Sequence, residues 1–214
     1  MECQVAIVAY QGVLADESHA FREVLRRAPG VHLVTVGERL GIVAGPGGAQ
    51  VVDATFDDVR SATIVVVPGG LGSHRHPEIA AWTLAARPDW VLASSTGSAL
   101  LAAAGVLRGR SATTHWLAGP LLERHGVTLS HERVVVDEPF VTCTGSSSTF
   151  DAAFRVVQRM WGADTVTRIR AELAAAPADE PAVPCDTRTR YRPRQARPAR
   201  PSRGPIVEVE LEER

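Results

Sequence analysis

The chain has 214 residues, a formal net charge of −1 and a hydrophobic fraction of 45%. This length and apolar content predict one globular domain with a full core, and the near-neutral charge argues against a general attraction to nucleic acid or membrane surfaces. No apolar run approaches the roughly 20 residues that span a bilayer, and the first residues lack a basic, cleavable leader pattern. We therefore expect a cytoplasmic protein without a membrane partner.

Buried strands alternate with helices along the chain. Unbroken apolar runs predict strands, and helical spacing of apolar residues predicts helices. In chain order we expect a strand at 5–10, a helix at 16–27, strands at 31–36, 64–67 and 90–93, helices at 98–106 and 117–125, strands at 134–136 and 140–143, and a helix at 149–161. This alternation predicts an α/β three-layer sandwich with a mostly parallel central sheet.

The composition changes after this alternating region. We expect an α/β domain over residues 1–165 and, over 166–214, a helix followed by a Pro/Arg-rich arm that is extended or partly disordered. Seven of the 14 prolines lie in the arm. Its last residues, 206–213, alternate apolar and acidic side chains, which fits either an amphipathic strand or a disordered tail.

Residues 93–98 lie between a predicted strand and a predicted helix. A sharp strand-to-helix turn pushes one side chain out of the backbone beside the N–H groups of a helix N-terminus, where a nucleophile is often placed. The candidate is Ser95. The alternative is a small residue that fills a tight turn.

Three further features accompany Ser95. His115 lies 20 residues downstream and suits a base or hydrogen-bond orienter, although a single histidine is more often structural. Glu17 follows the first strand, where a buried carboxyl beside a nucleophile would serve as an acid/base; the alternative is a helix-start acid. Backbone N–H groups of Gly70 and Thr96 would form an oxyanion hole, unless Pro68–Gly70 is only a turn.

Other polar or glycine-rich segments do not predict a metal or cofactor site. His74 and His76 lack metal partners at suitable spacing, and Gly45–Gly48 lacks the Lys-Ser/Thr end of a phosphate loop. The three cysteines, Cys3, Cys143 and Cys185, are too few and too scattered for a disulfide framework. We expect Cys143 to be buried and inert.

Taken together and in this order, five motifs are similar to the ThiJ/PfpI superfamily, with its flavodoxin-like, class I glutamine amidotransferase-like fold. They occupy residues 12–17, 67–70, 95–107, 112–116 and 144–151. The resemblance covers about residues 4–163. It is closest to the branch that holds isonitrile hydratases and the amidase-like domains of AraC-type regulators.

The resemblance implies a mechanism as well as a fold. The usual elbow of this family reads Cys-Thr-Gly, and Ser95 stands at the cysteine position. In the hydratases the thiolate attacks the isonitrile carbon, a carboxylate matching Glu17 handles protons, and water releases an N-substituted formamide. His115 matches the histidine after the elbow helix, and Gly70 and Thr96 match the oxyanion donors. A homodimer is also implied.

The serine leaves three explanations open. Ser95 is a nucleophile assisted by His115 or Glu17, or the pocket activates water without a covalent step, or the protein binds a small molecule without turning it over. The corresponding functions are an isonitrile hydratase-like lyase and a ligand-sensing module. Oxidative-stress protection ranks last because it depends on the missing cysteine.

Overall fold

The structure is a computed structural model in which residues 2–175 are described. A central seven-stranded sheet has the order β10-β11-β7-β6-β1-β2-β5. Its strands in chain order are β1 (Cys3–Val8), β2 (Val31–Gly37), β5 (Ala54–Thr55), β6 (Ile64–Val67), β7 (Trp90–Ser94), β10 (Val134–Asp137) and β11 (Phe140–Cys143). All neighbouring pairs are parallel except β10 with β11.

Two small pairs of strands lie outside this sheet. An antiparallel hairpin joins β3 (Gly41–Gly45) to β4 (Gly48–Val52), and a short parallel pair joins β8 (Ser111–Ala112) to β9 (Thr128–Leu129). The hairpin was not among the predicted elements. Its exposed, glycine-rich strands lack the buried apolar run that marks the central strands.

Helices cover both faces of the central sheet. They are α1 (Ala15–Leu25), α2 (Pro77–Ala85), α3 (Thr96–Ala103), α4 (Gly119–Arg124) and α5 (Ser146–Ala175), with 3-10 turns at Ser73–Arg75 and Trp116–Ala118. Alternate residues of β1 enter opposite cores: Val5 and Ile7 pack with α1 and α5, and Ala6 and Val8 pack on the other side. The predicted α/β class with a mostly parallel sheet is confirmed.

The helix predicted to stop at Gly162 does so: Gly162 breaks α5 with non-helical backbone angles, and a second helical segment follows it. Gly162 has φ 85° and ψ 171°, and α5 resumes after it. Ile169, beyond the bend, is fully buried in the same core as α1. Residues 166–175 thus pack with the domain, while the Pro/Arg-rich arm lies outside the described residues.

The topology places the functional candidates at one edge. The loops that follow the carboxyl ends of β1, β6 and β7 meet there, and these three strands are neighbours in the middle of the sheet. Within residues 2–175, no helix is both long and apolar enough to cross a membrane.

Candidate active site

The elbow between β7 and α3 holds Ser95 in an uncommon backbone conformation, with φ 52° and ψ −130°. Positive φ is disfavoured for a residue with a Cβ and persists only where the surroundings enforce it. The Ser95 N–H donates to the carbonyl of Cys143 at 2.9 Å, and the Thr114 hydroxyl donates to the Ser95 carbonyl at 2.6 Å. Neighbouring segments therefore fix the elbow from both sides.

Close packing under the elbow also requires glycine at position 97. A Cβ at Gly97 would collide with the carbonyl oxygen of Val67 and lie 3.0 Å from that of Pro68. The start of α3 therefore rests directly on the backbone that leaves β6. This contact places the elbow beside Gly69 and Gly70.

Glu17 is the buried acid of the site. It lies in the first turn of α1 and is 1% exposed. Its Oε2 accepts hydrogen bonds from the Gly69 N–H at 2.9 Å and from the Ser94 hydroxyl at 2.6 Å. Burial raises the pKa of Glu17 above its ordinary value of 4.5, and these two hydrogen bonds oppose the rise without reversing it. Glu17 therefore holds its proton to a higher pH than an exposed glutamate does.

Gly69 brings Glu17 and Ser95 together. A Cβ at Gly69 would lie 2.7 Å from Ser95 Cβ, 3.0 Å from Ser95 Oγ and 3.1 Å from Glu17 Oε2. The serine hydroxyl and the carboxyl thus face the same side of Gly69, where no side chain fits. Ser95 itself is 4% exposed, and among residues 2–175 its hydroxyl has no hydrogen-bond partner.

The two backbone amides predicted to hold an oxyanion differ in their surroundings. The Gly70 N–H donates to the Thr96 hydroxyl at 2.9 Å, and that hydroxyl is 3.1 Å from the Gly70 carbonyl oxygen. Thr96 is the first residue of α3, so its N–H has no intrahelical acceptor. The Gly70 N–H is therefore already engaged by the Thr96 hydroxyl, whereas the Thr96 N–H makes no hydrogen bond within its helix.

His115 lies at the rim of the site and caps the 3-10 turn that follows it. Its Nδ1 accepts the Leu117 N–H at 3.3 Å, so the neutral ring carries its proton on Nε2 and offers a donor there. His115 is close enough to Glu17 to lower the pKa of that carboxyl. Within the described residues no hydrogen bond joins His115 to Ser95. This arrangement suits an orienting donor more than a base.

A cavity of about 530 Å³ opens beside His115, and neither Ser95 nor Glu17 is among the residues that line it. His115, Trp116, Leu129 and Gly145 contribute to its walls. Gly145 connects the cavity to the buried acid, because a Cβ there would lie 3.6 Å from Glu17 Oε1. The cavity is large enough for a small organic molecule.

Ser94 is the site residue that the sequence analysis missed. It is fully buried and its hydroxyl contacts Glu17, whereas the sequence pointed to its neighbour Ser95. The available signal was a hydroxyl at the end of an otherwise apolar strand, in the sequence WVLAS. Such a residue needs a buried polar partner.

The other reactive candidates do not join the site. Burial raises the pKa of the Cys143 thiol to about 12, so it remains a neutral thiol. No group of His, Cys, Asp and Glu side chains in the described part of the chain is arranged to hold a metal ion. Cys185 lies outside the described residues.

Comparison with known proteins identifies the class of this fold and site. The sequence profile of the DJ-1/PfpI family matches residues 3–159, and the chain belongs to that family. Among curated relatives, the isonitrile hydratase of Pseudomonas putida is 33% identical over 184 residues, which covers 83% of this chain and 81% of the relative. The HTH-type transcriptional regulator GlxA of Rhizobium meliloti (strain 1021) is 34% identical over 92 residues, covering 42% of this chain and 28% of the regulator.

Solved structures agree on the fold. A ThiJ/PfpI family protein from Pseudomonas syringae superposes with a TM-score of 0.77 at 25% identity, covering 85% of this chain and 78% of that one. Oxidized DJ-1 from Toxoplasma gondii superposes with a TM-score of 0.72 at 22% identity, covering 81% of this chain and 99% of that one. The sequence-based assignment to the ThiJ/PfpI family is confirmed.

Proposed function

We propose that this protein is an isonitrile hydratase-like enzyme that adds water to an isonitrile, or to a related small carbon–nitrogen substrate, and forms an N-substituted formamide. The observation that carries the proposal is the buried Glu17 carboxyl, whose pKa is raised by burial, facing the same side of Gly69 as the Ser95 hydroxyl. Similarity to the Pseudomonas putida isonitrile hydratase over most of both chains supports the substrate class.

The first step uses Glu17 as an acid. Its proton moves to the terminal carbon of R–N≡C and forms a new C–H bond, which leaves a carboxylate and a strongly electrophilic carbon. The Ser95 oxygen then bonds to that carbon, while the hydroxyl proton passes to the Glu17 carboxylate. The product of this step is a formimidate ester, R–N=CH–O–Ser95, with Glu17 again neutral.

The second step releases the product. Water adds to the formimidate carbon with Glu17 assisting the proton transfers, the nitrogen gains a proton, and the C–O bond to Ser95 breaks. The products are R–NH–CHO and the free serine. In this proposal the Thr96 N–H at the start of α3 stabilises negative charge on the added oxygen.

A serine nucleophile is compatible with this order of events. A hydroxyl is a weaker acid than a thiol, and it normally needs a base to remove its proton. Here protonation of the substrate first makes the carbon electrophilic and at the same time converts Glu17 into that base. His115 orients the substrate or water through Nε2–H.

The deciding experiment is turnover of cyclohexyl isocyanide to N-cyclohexylformamide, followed by mass spectrometry. We expect the wild-type protein to be active, Ser95→Ala to lose at least about a hundredfold in kcat, and Glu17→Gln to lose about 10²- to 10⁴-fold. Ser95→Cys should remain active, because it restores a stronger nucleophile. An active Ser95→Ala variant together with an inactive Glu17→Gln variant would show that water attacks the substrate directly, without a covalent intermediate.

A second candidate is a ligand-binding module of the same fold. It is favoured by the similarity to the transcriptional regulator and by the absence, in the described residues, of a hydrogen-bonded base at Ser95. Turnover by Ser95→Cys alone would identify a hydratase pocket without its nucleophile. Saturable binding of cyclohexyl isocyanide to the wild type, measured by calorimetry without product formation, would then support this second function.

A further inference from the structure

Ser94 and Glu17 form a buried, hydrogen-bonded pair, and Glu17 is the acid of the proposed reaction. Ser94 ends β7 and is fully buried, and its hydroxyl donates to Glu17 Oε2 at 2.6 Å. The Gly69 N–H donates to the same oxygen at 2.9 Å. Two donors therefore converge on one carboxyl oxygen.

This convergence decides which oxygen carries the proton of the neutral acid. A protonated carboxyl has one carbonyl oxygen, which accepts hydrogen bonds, and one hydroxyl, which donates. A proton on Oε2 would point toward two donors and leave one of them without an acceptor in a buried place. The proton of Glu17 is therefore on Oε1.

Oε1 lies close to Gly145. A Cβ at Gly145 would lie 3.6 Å from this oxygen, and Gly145 lines the 530 Å³ cavity together with His115. Among residues 2–175, Oε1 accepts no hydrogen bond. A proton on Oε1 is consequently free of protein acceptors in the described part of the chain and lies on the Gly145 side of the carboxyl.

We propose that Ser94 is a positioning residue that acts through Glu17: by donating to Oε2 together with Gly69, it places the transferable proton on Oε1, on the side of Gly145. The placement of the proton stands on geometry alone. Its catalytic consequence rests on the proposed hydratase function.

The competing explanation is that Ser94 only satisfies a buried carboxyl and contributes to stability. Three variants separate the two. Ser94→Ala removes the donor, Ser94→Thr keeps a hydroxyl, and Ser94→Cys keeps the bulk with a weaker donor. Ser98→Ala is the matched control, since Ser98 is equally buried near the same elbow but its hydroxyl bonds the Ala93 carbonyl at 3.4 Å.

Infrared spectroscopy tests the proton placement without any substrate. In ¹³C-glutamate-labelled protein, at a pH where Glu17 is protonated, the Glu17 carbonyl stretch is identified as the band missing in Glu17→Gln. We expect this band to move to higher wavenumber in Ser94→Ala, by less in Ser94→Cys, and to stay in place in Ser94→Thr and Ser98→Ala. An unchanged band in both Ser94→Ala and Ser94→Cys would overturn the proposal.

Turnover of cyclohexyl isocyanide tests the catalytic consequence. Because the Ser94 hydrogen bond lowers the pKa of Glu17, its loss should move the basic limb of the kcat profile to higher pH. Below that limb kcat should fall about tenfold in Ser94→Ala, with little change in KM and with recovery in Ser94→Thr. An unchanged kcat profile combined with lower stability would leave Ser94 only a structural role. If the wild type shows no turnover, the proposed hydratase function is wrong. The infrared result alone then decides whether Ser94 sets the position of the Glu17 proton.

Discussion

Two glutamates of helix α1 show how the surroundings of a residue decide its chemistry. Glu23 pairs with Arg26 at 2.8 Å and with Arg27 at 2.7 Å, and these partners lower its pKa to about 2. Glu17, six residues earlier, meets only neutral donors in a buried place, and its pKa is raised. One helix therefore carries an ordinary surface carboxylate and an acid suited to proton transfer.

This difference predicts opposite effects of pH on stability. Since the pKa of folded Glu17 lies above its unfolded value near 4.5, the stability that this group contributes is complete below that pH and is lost as pH rises through the folded pKa. Glu17→Gln keeps an acceptor toward Ser94 and Gly69 but cannot ionise. Its free energy of unfolding, measured by urea titration, should therefore rise relative to that of the wild type between about pH 4 and pH 9. The gain is at most about 1.4 kcal/mol for each pH unit by which folding raises the pKa of Glu17.

Glu23→Gln is the control for this measurement. The lowered pKa of Glu23 stabilises the fold above about pH 4.5, and that contribution is lost as pH falls toward 2. The Glu23→Gln variant should therefore differ from the wild type least under acidic conditions. A Glu17→Gln variant with the same pH dependence as the wild type would show that Glu17 ionises normally.

Sequence reasoning located much of the candidate site at this scale. It singled out Ser95, Glu17 and Gly70, and the structure places all three at one edge of the sheet. It missed the contact of Ser94 with Glu17, because side-chain direction at a strand end depends on which strands become neighbours. The roles assigned to Ser95 and His115 remain predictions.

At the scale of elements, the bend of α5 directs its last turns over the end of α1. The Trp161 indole N–H donates to the Pro29 carbonyl at 3.1 Å, and Arg168 donates to the Arg27 carbonyl at 2.9 Å. Both acceptors lie just after α1. Gly162 makes this docking possible through backbone angles that only glycine adopts readily.

We expect Gly162→Ala to destabilise the fold by about 1–3 kcal/mol, from backbone strain alone. A Cβ at this position has no atom within 4 Å, so crowding does not contribute. Gly119→Ala is the control, since Gly119 has helical angles of φ −49° and ψ −50° and faces a Leu129 side chain that can move. Equal urea midpoints for the two variants would contradict the strain argument.

Burial marked the central strands and α1, but helix α2 was not predicted although Ile79 and Trp82 are buried. The central strands form unbroken apolar runs, and Phe21, Val24 and Leu25 of α1 are buried as their spacing predicts. The hairpin of β3 and β4 has no buried face and escaped prediction. The insertion of β6 between β1 and β7 depends on long-range packing, which local patterns do not encode.

At the scale of the whole molecule, an apolar surface lies on the β3–β4 hairpin and the residue before it. Ile42 is 74% exposed, Leu40 63% and Val51 59%. Large apolar side chains grouped in this way are typical of an interface between proteins. Together with the family resemblance, they support the homodimer expected from the sequence.

The dimer prediction is tested by light scattering coupled to size exclusion. We expect the wild type at twice the chain mass of 22.9 kDa and Ile42→Glu as a monomer. Leu84→Glu is the control, because Leu84 is an exposed apolar residue of a different element, α2. A monomeric wild type would refute the dimer prediction. A dimeric Ile42→Glu variant would show that the dimer interface does not include the hairpin.

The strained backbone at Ser95 has a practical consequence for engineering. Glycine adopts positive φ without the steric penalty that a Cβ brings, so Ser95→Gly relieves strain at this position. A selection for heat resistance alone would favour that replacement and would discard the hydroxyl with it. Directed evolution of this chain for stability therefore has to hold position 95 fixed if the Ser95 hydroxyl is to be kept.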